Sequence, residues 1–551
     1  MAADHARLFR LPLPRAVFWL PAICLLAACG GGEPAGEGGT GGPTGGGPTP
    51  GGTAVVALGG EPDVLNPLIS TTTVAGTVMA ELFDNTTDLD EELVWQPAIA
   101  HRWELDPGGT GITYHLRPWR WADGEPMTAR DFALTLALFK DPRVASPQRG
   151  FFADVVAAEA RDDSTLHYAF TRPLADPLAR TYHNVLPAHV VQDLDPAAVG
   201  SWALNGAPLS SGPFRLESWE RGRQLALVRN ERYPGTPARL DRVVFRVMPE
   251  VQTAILALEA GELDLVGGVP PADARRLDAG GTARIVPTGG RQLYYLQWNL
   301  RRPALADRDT RKALSLAVDR GRLVDTLVFG YGRPAQGPVA PACWNHHREL
   351  APDPHDPARA RALLEGAGWR DADGDGVRER DGHPLALEIL LRQGDPIREN
   401  AAVILRENLR QVGVDVRLRA LELGAALDLL GEGRFDAYLG LVTLNLYGDA
   451  TPYLHSSAVD RFNQGAWADA VVDSLLERAL GMQDRAAARS VWLEIQERVA
   501  ADPPAAYLFY PEILVAVGPR LQDVRPHMLS PFNNLAQWWI RPEDRRYRSG
   551  P

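Results

Sequence analysis

Apolar and polar positions change along this chain in short runs, and the period of each run predicts an element. Ala54-Val55-Val56-Ala57-Leu58 is unbroken apolar sequence stopped by Gly59-Gly60, which predicts a short buried strand. A helix is expected from about Val74 to Phe83. Thr113–Leu116 alternates as a strand does, and a turn follows at Asp123-Gly124. Thr128 then opens a helix through Phe132, Leu134, Leu136, Leu138 and Phe139, with Asp131 standing where a capping box has Glu.

The same logic recurs downstream. Val243–Val247, Glu250–Ala260 and Leu263–Val266 predict strand, helix and strand; Gln292–Leu300 leads into a helix at Asp309–Val318. "LALEILLRQGD" leads into a helix at Pro396–Val412 and a strand at Asp415–Arg419. Strands alternating with helices predict mixed α/β lobes, and 551 residues are too many for one core, so two or three lobes are expected.

The N-terminus follows a different pattern. Arg7, Arg10 and Arg15 precede an apolar run from Ala16 to Ala28, short for a bilayer span and interrupted by Pro21. It ends in Leu26-Ala27-Ala28-Cys29, which resembles a bacterial lipobox and predicts a signal peptide over 1–28 with lipidation of Cys29. A thiolate is the nucleophile such acylation needs, and several acyl chains give stable anchoring. Residues 29–53 are mostly Gly with Pro and Thr, a composition that buries no core and predicts a flexible tether about 25–30 Å in root-mean-square span.

Composition adds exclusions. Formal net charge is −12, from 57 basic and 69 acidic residues, without a basic block, so nucleic acid is not an expected partner. Three cysteines, Cys24, Cys29 and Cys343, build no disulfide framework. No Gly-x-Ser-x-Gly, His-Glu-x-x-His, phosphate-binding loop or Cys-x-x-Cys occurs, which lowers an enzyme reading, and no catalytic residue or cofactor is expected. "CWNHHRE", with Cys343, His346 and His347, reads as a solvated loop before a metal site. Asp371, Asp373 and Asp375 imitate a calcium loop, but Gly382 stands where a bidentate Glu would close it, so a turn is expected. Tyr294, Tyr295 and Trp298 share one predicted strand; Tyr295 and Trp298 fall on opposite faces, so one of them is expected to face a cleft.

Several ordered blocks then carry a resemblance. "GGEPDVLNPL", "TYHLRPWRWADGEPMTARDFALTL", "VLPAHVV", "SSGPFRLESWERGRQLALVRNERY", "LQWNLRRPALADRDTRKALSLAVDRGRLV" and "DPARARALLEGAGW" resemble the family 5 extracellular solute-binding proteins of ABC importers, the oligopeptide- and dipeptide-binding type. The resemblance implies an α/β periplasmic-binding-protein-like fold of type II: two lobes with a hinge, and an extra subdomain in the first. The expected division is 54–290 for the first lobe, with the insertion over roughly 94–206, then 291–506 for the second lobe, and 507–551 returning to the first.

It further implies capture of a peptide or related small solute between the lobes by a monomer outside the cytoplasm. Cys29 would hold that monomer to a membrane, where it serves an ABC permease and ATPase complex. In peptide binders of the family an Asp anchors the ligand's amino group. In the corresponding "YLGLVTLNLYGDATPYLHSS" Asn445 lies near the expected acid and Asp449 is the carboxylate left, so Asp449 is expected in that role or as a turn residue before Pro452. Asn445, Tyr447, Tyr294, Tyr295, Trp298 and Glu61 complete the expected ligand-binding set. The rival readings are a lipid-anchored secreted hydrolase of peptides or glycans, and a binding protein that feeds a sensor.

Overall fold

The computed structural model describes residues 47–546 except Ala175, Asp460 and Gln483. Cys29, the signal-like segment before it and most of the Gly-rich stretch lie outside the described residues. Among the described residues no helix is long and apolar enough to cross a membrane.

The strand Thr53–Leu58 sits inside a seven-stranded sheet, parallel to Arg242–Val247 on one side and to Leu265–Gly267 on the other. Its unbroken apolar sequence has a physical cause: Ala54, Val56 and Leu58 enter one core cluster, and Val55 enters another on the opposite face. The outer strands are Phe214–Glu220 and Gln224–Arg229 at one edge, with Ile513–Val517 and Arg284–Thr288 at the other.

A second sheet of six strands is centred on Gln292–Trp298, which pairs antiparallel with Ala437–Thr443 and Ala505–Pro511. Ala386–Arg392 and Asp415–Leu421 extend it in parallel, joined by the helix Pro396–Arg410. The chain passes between the two sheets twice, over Gly289-Gly290-Arg291 and again at Glu512. A four-stranded antiparallel sheet, built from segments between Ala100 and Phe170, is hydrogen-bonded to neither but shares a core cluster with the first.

Local sequence explains the elements that frame these sheets. Thr72 caps the helix Thr73–Leu82 by accepting the Ala75 N–H at 3.2 Å. Asp131 does three things at the start of the helix Ala129–Lys140. Its carboxylate accepts the Thr128 N–H at 2.7 Å, the Trp121 Nε1–H at 3.2 Å and the Ala188 N–H at 2.7 Å. The capping residue thereby also fixes two distant segments.

Two expectations are revised. Cys343, His346 and His347 are not a solvated loop but buried. His346 Nδ1 meets the Val339 carbonyl at 3.0 Å and its Nε2 meets Gln336 at 3.0 Å, while His347 Nε2 meets Glu497 at 3.1 Å. Tyr295 and Trp298 do take opposite faces of Gln292–Trp298, yet both are core, because both faces of that sheet are covered: Trp298 with Tyr294 in one cluster, Tyr295 with Leu293 in the other. Asp371, Asp373 and Asp375 are exposed, with one carboxylate oxygen of each lying within 4.8 Å of the others. Asp371 there accepts the N–H groups of Gly374 and Gly376, as turn carboxylates do.

Candidate functional site

A cavity of about 240 Å³ is walled on one side by the four-stranded sheet and its flanking segments and on the other by segments packed around the six-stranded sheet. One wall is Trp95, Trp103 and Ile112 with Asp176 at the start of the helix Pro177–Thr181. The other is Trp344, Tyr447, Asp449, Arg485 and Trp492. Large apolar faces with a few charged groups are the usual make-up of a small-molecule site.

Each wall is built from ordinary local rules. After the strand Ala437–Thr443 the chain turns through 444–450, and Asn445 holds that turn together. Its Oδ1 accepts the N–H groups of Tyr447 and Asp449, both at 3.0 Å, and its Nδ2 donates to the Asp449 carbonyl at 2.5 Å. Gly448 is needed twice over: its φ is +73°, and a Cβ there would stand 1.9 Å from Asn345 Oδ1. The loop so held presents Tyr447, 44% exposed, and Asp449 to the cavity. Asp449 Oδ1 also accepts the Thr451 N–H at 2.8 Å.

Trp344 is fixed from two sides. Its Nε1 donates to the Tyr447 carbonyl at 3.3 Å, and its own carbonyl accepts from Arg489 Nε at 3.1 Å. Next to it Cys343 is buried, and burial pushes its thiol up to about 11, which makes it an inert packing residue. On the opposite wall the Trp95 ring lies 5.5 Å from that of Tyr182, and Trp95 Nε1 is 3.5 Å from Asp176 Oδ2. Burial, with Asp449 nearby, also pushes the Tyr453 hydroxyl up to about 12.

The structure brings Asp449 and Tyr447 to the cavity and commits Asn445 to shaping their loop. The four remaining expected residues sit elsewhere. Tyr294 is in the core, stacked on Phe509 at 4.8 Å, with its hydroxyl donating to Asp395 at 3.1 Å. Trp298 is fully buried. Tyr295 is covered too and borders only a small separate void with Tyr453 and Tyr507. Glu61 ties the loop after the first strand to a hairpin, accepting from Trp219 Nε1 at 2.9 Å and from the Gly222 N–H at 3.0 Å. Sequence reasoning passed over Trp95, Trp103, Asp176, Trp344, Arg485 and Trp492. No local pattern joins segments so far apart, although Trp344 lies inside the "CWNHHRE" run.

Comparison with known proteins accounts for this geometry. The sequence model described as bacterial extracellular solute-binding proteins, family 5 Middle, matches residues 94–463. The chain belongs to that family. It is 26% identical over 506 residues to the oligopeptide-binding protein AppA of Bacillus subtilis, covering 89% of this chain and 92% of that protein. It is 28% identical over 493 residues to the probable deoxycholate-binding periplasmic protein YgiS of Escherichia coli, covering 83% and 88%. The solved structure of Bacillus subtilis AppA in complex with a nonapeptide superposes with a TM-score of 0.64 at 25% identity, over 90% of this chain and 100% of that one. The two-sheet body is therefore a periplasmic-binding-protein fold, and this family 5 member is a solute-binding protein of the oligopeptide and dipeptide type. Its relatives are binding proteins rather than enzymes.

Proposed function

We propose that this chain captures short peptides in the cavity between its two lobes and delivers them, unaltered, to the permease and ATPase of an ABC importer. Sequence reasoning ended the second lobe at 506, but Ala505–Pro511 pairs within the six-stranded sheet, so the lobes are assigned to 54–290 with 512–551, and to 291–511, with 94–206 as the insertion in the first. The carrying observation is the cavity itself, whose tryptophans come from both sides while charged groups stand among them. Closure of two lobes about paired crossings buries a ligand without chemistry, and the closed state is what a membrane partner recognises. A relative named for oligopeptides, with a solved nonapeptide complex, supports peptides as the ligand class.

The protein acts as a monomer on the outer side of a membrane, held there by lipid on Cys29. The Leu26-Ala27-Ala28-Cys29 ending and the Gly-rich stretch after it support that anchor. Incubation with a defined pool of short peptides, followed by mass analysis of bound and unbound fractions, tests capture: retained peptides of unchanged mass are expected, and cleaved products contradict it. Replacing Cys29 with Ser tests the anchor, with the variant expected in the soluble fraction.

A further inference from the structure

One guanidinium in the cavity is claimed by no carboxylate. Arg485 opens the helix Arg485–Ala501, behind Asp484, whose side chain is committed to the N–H groups of Ala486 and Ala487. The Arg485 Cζ stands 4.8 Å from the centroid of the Trp344 ring, and among the described residues no carboxylate oxygen comes within 4.0 Å of it. Stacking uses the flat face of a guanidinium and leaves its in-plane N–H groups for a two-oxygen acceptor.

The surroundings favour such an acceptor. Trp344 cannot swing away, since its indole and its carbonyl are both held. The two acids of the cavity are turned toward backbone: Asp176 Oδ1 accepts the Ala179 N–H at 3.0 Å and Asp449 Oδ1 accepts that of Thr451 at 2.8 Å. Enclosure pulls the basicity of Arg485 below that of a free guanidinium, a sign of incomplete hydration, while Asp176 and Asp90 oppose the pull. The apolar rings of Trp95 and Trp103 line the opposite wall, and Trp492 lines the same wall as this cation. The volume, about 240 Å³, falls just below the usual range for ligand sites, about 300 to 1,000 Å³, and so suits a compact ligand.

We propose that the solute carried here is a compact carboxylate with a flat apolar body, its carboxylate held edge-on by Arg485 and its body seated among the tryptophans of both lobes. A short peptide ending in an aromatic residue and a free aromatic carboxylic acid share that chemistry. The inference rests on the reading that the cleft captures a solute.

The test is calorimetry on the full chain with four probes: alanyl-phenylalanine, its C-terminal amide, alanyl-alanine and indole-3-propionate. The wild type is expected to bind alanyl-phenylalanine on the order of ten-fold more tightly than the amide, and more tightly than alanyl-alanine. Arg485→Gln is expected to abolish the acid-over-amide preference, whereas Arg498→Gln, on the exposed side of the same helix, keeps it. Binding of indole-3-propionate identifies a free acid as sufficient; its failure beside alanyl-phenylalanine binding points to a peptide. Equal binding of acid and amide, a preference that survives Arg485→Gln, or alanyl-alanine bound as well as its aromatic counterpart overturns the inference and leaves capture standing. If no probe binds, the inference falls, and the peptide-pool experiment decides whether the broader reading falls with it.

Discussion

Gly290 lies so close to Pro511 that a Cβ built on it would stand 2.0 Å from the Pro511 carbonyl oxygen. These residues belong to the two segments where the chain passes between its sheets, so the crossings press against each other as bare backbone. Gly290→Ala must therefore push the segments apart, at a cost of about 1–3 kcal/mol in urea unfolding. Gly289→Ala, whose added carbon meets only Ala342 at 4.0 Å, is the control and is expected to be near neutral.

A buried ion pair fastens the C-terminal segment. Arg520 donates to both oxygens of Asp264 at 2.8 Å, the side chains are 8% and 5% exposed, and the same carboxylate accepts the Val55 N–H at 2.8 Å. Removing one partner strands a buried charge, so Arg520→Ala is expected to lower the unfolding free energy by about 3–5 kcal/mol. A loss below about 1 kcal/mol in denaturant titration contradicts this account of the fold.

Asp84 provides a pH signature. Burial raises its carboxyl to about 7, the hydroxyl of Tyr233 offsets part of that rise, and Asp88 adds to it. A carboxyl raised in the folded state is fully tolerated below its ordinary value near 3.8 and costs stability progressively as pH climbs through 7. Asp84→Asn is thus expected to match the wild type at pH 4 and to exceed it in thermal midpoint at pH 8. An equal offset at both values sinks the assignment.

The Asn445 turn and the Asp449 carboxylate separate shape from charge. Asn445→Ala removes three hydrogen bonds that hold the loop and is expected to weaken peptide binding regardless of the ligand's terminus. Asp449→Ala keeps those bonds and is expected to weaken peptides with a free amine on the order of ten-fold, sparing N-acetylated ones. Isothermal titration with both peptide forms distinguishes the two effects.

Elements whose cues are local could be read from sequence: the helix over 73–82, the capped helix at Thr128, the buried strand Thr53–Leu58, and the strand–helix alternation. The aromatic run Tyr294–Trp298 misled because period two reveals opposite faces but not what covers them; here the helices Arg308–Ala317 and Pro396–Arg410 pack on one face and the segment around Cys343 and Trp492 on the other. The cavity resisted for a different reason. Trp95, Trp344 and Arg485 come from segments far apart in the chain, and only the folded chain makes them neighbours. Asn445 shows the remaining gap, since a polar residue beside a site can spend its whole amide on the loop that carries the site.

Native mass spectrometry of the protein taken directly from cells tests solute capture most directly. A complex heavier by one small molecule, which leaves with its mass unaltered when the lobes are denatured, is the predicted result. Protein that never carries a solute, or that releases only fragments of what it was given, contradicts the account.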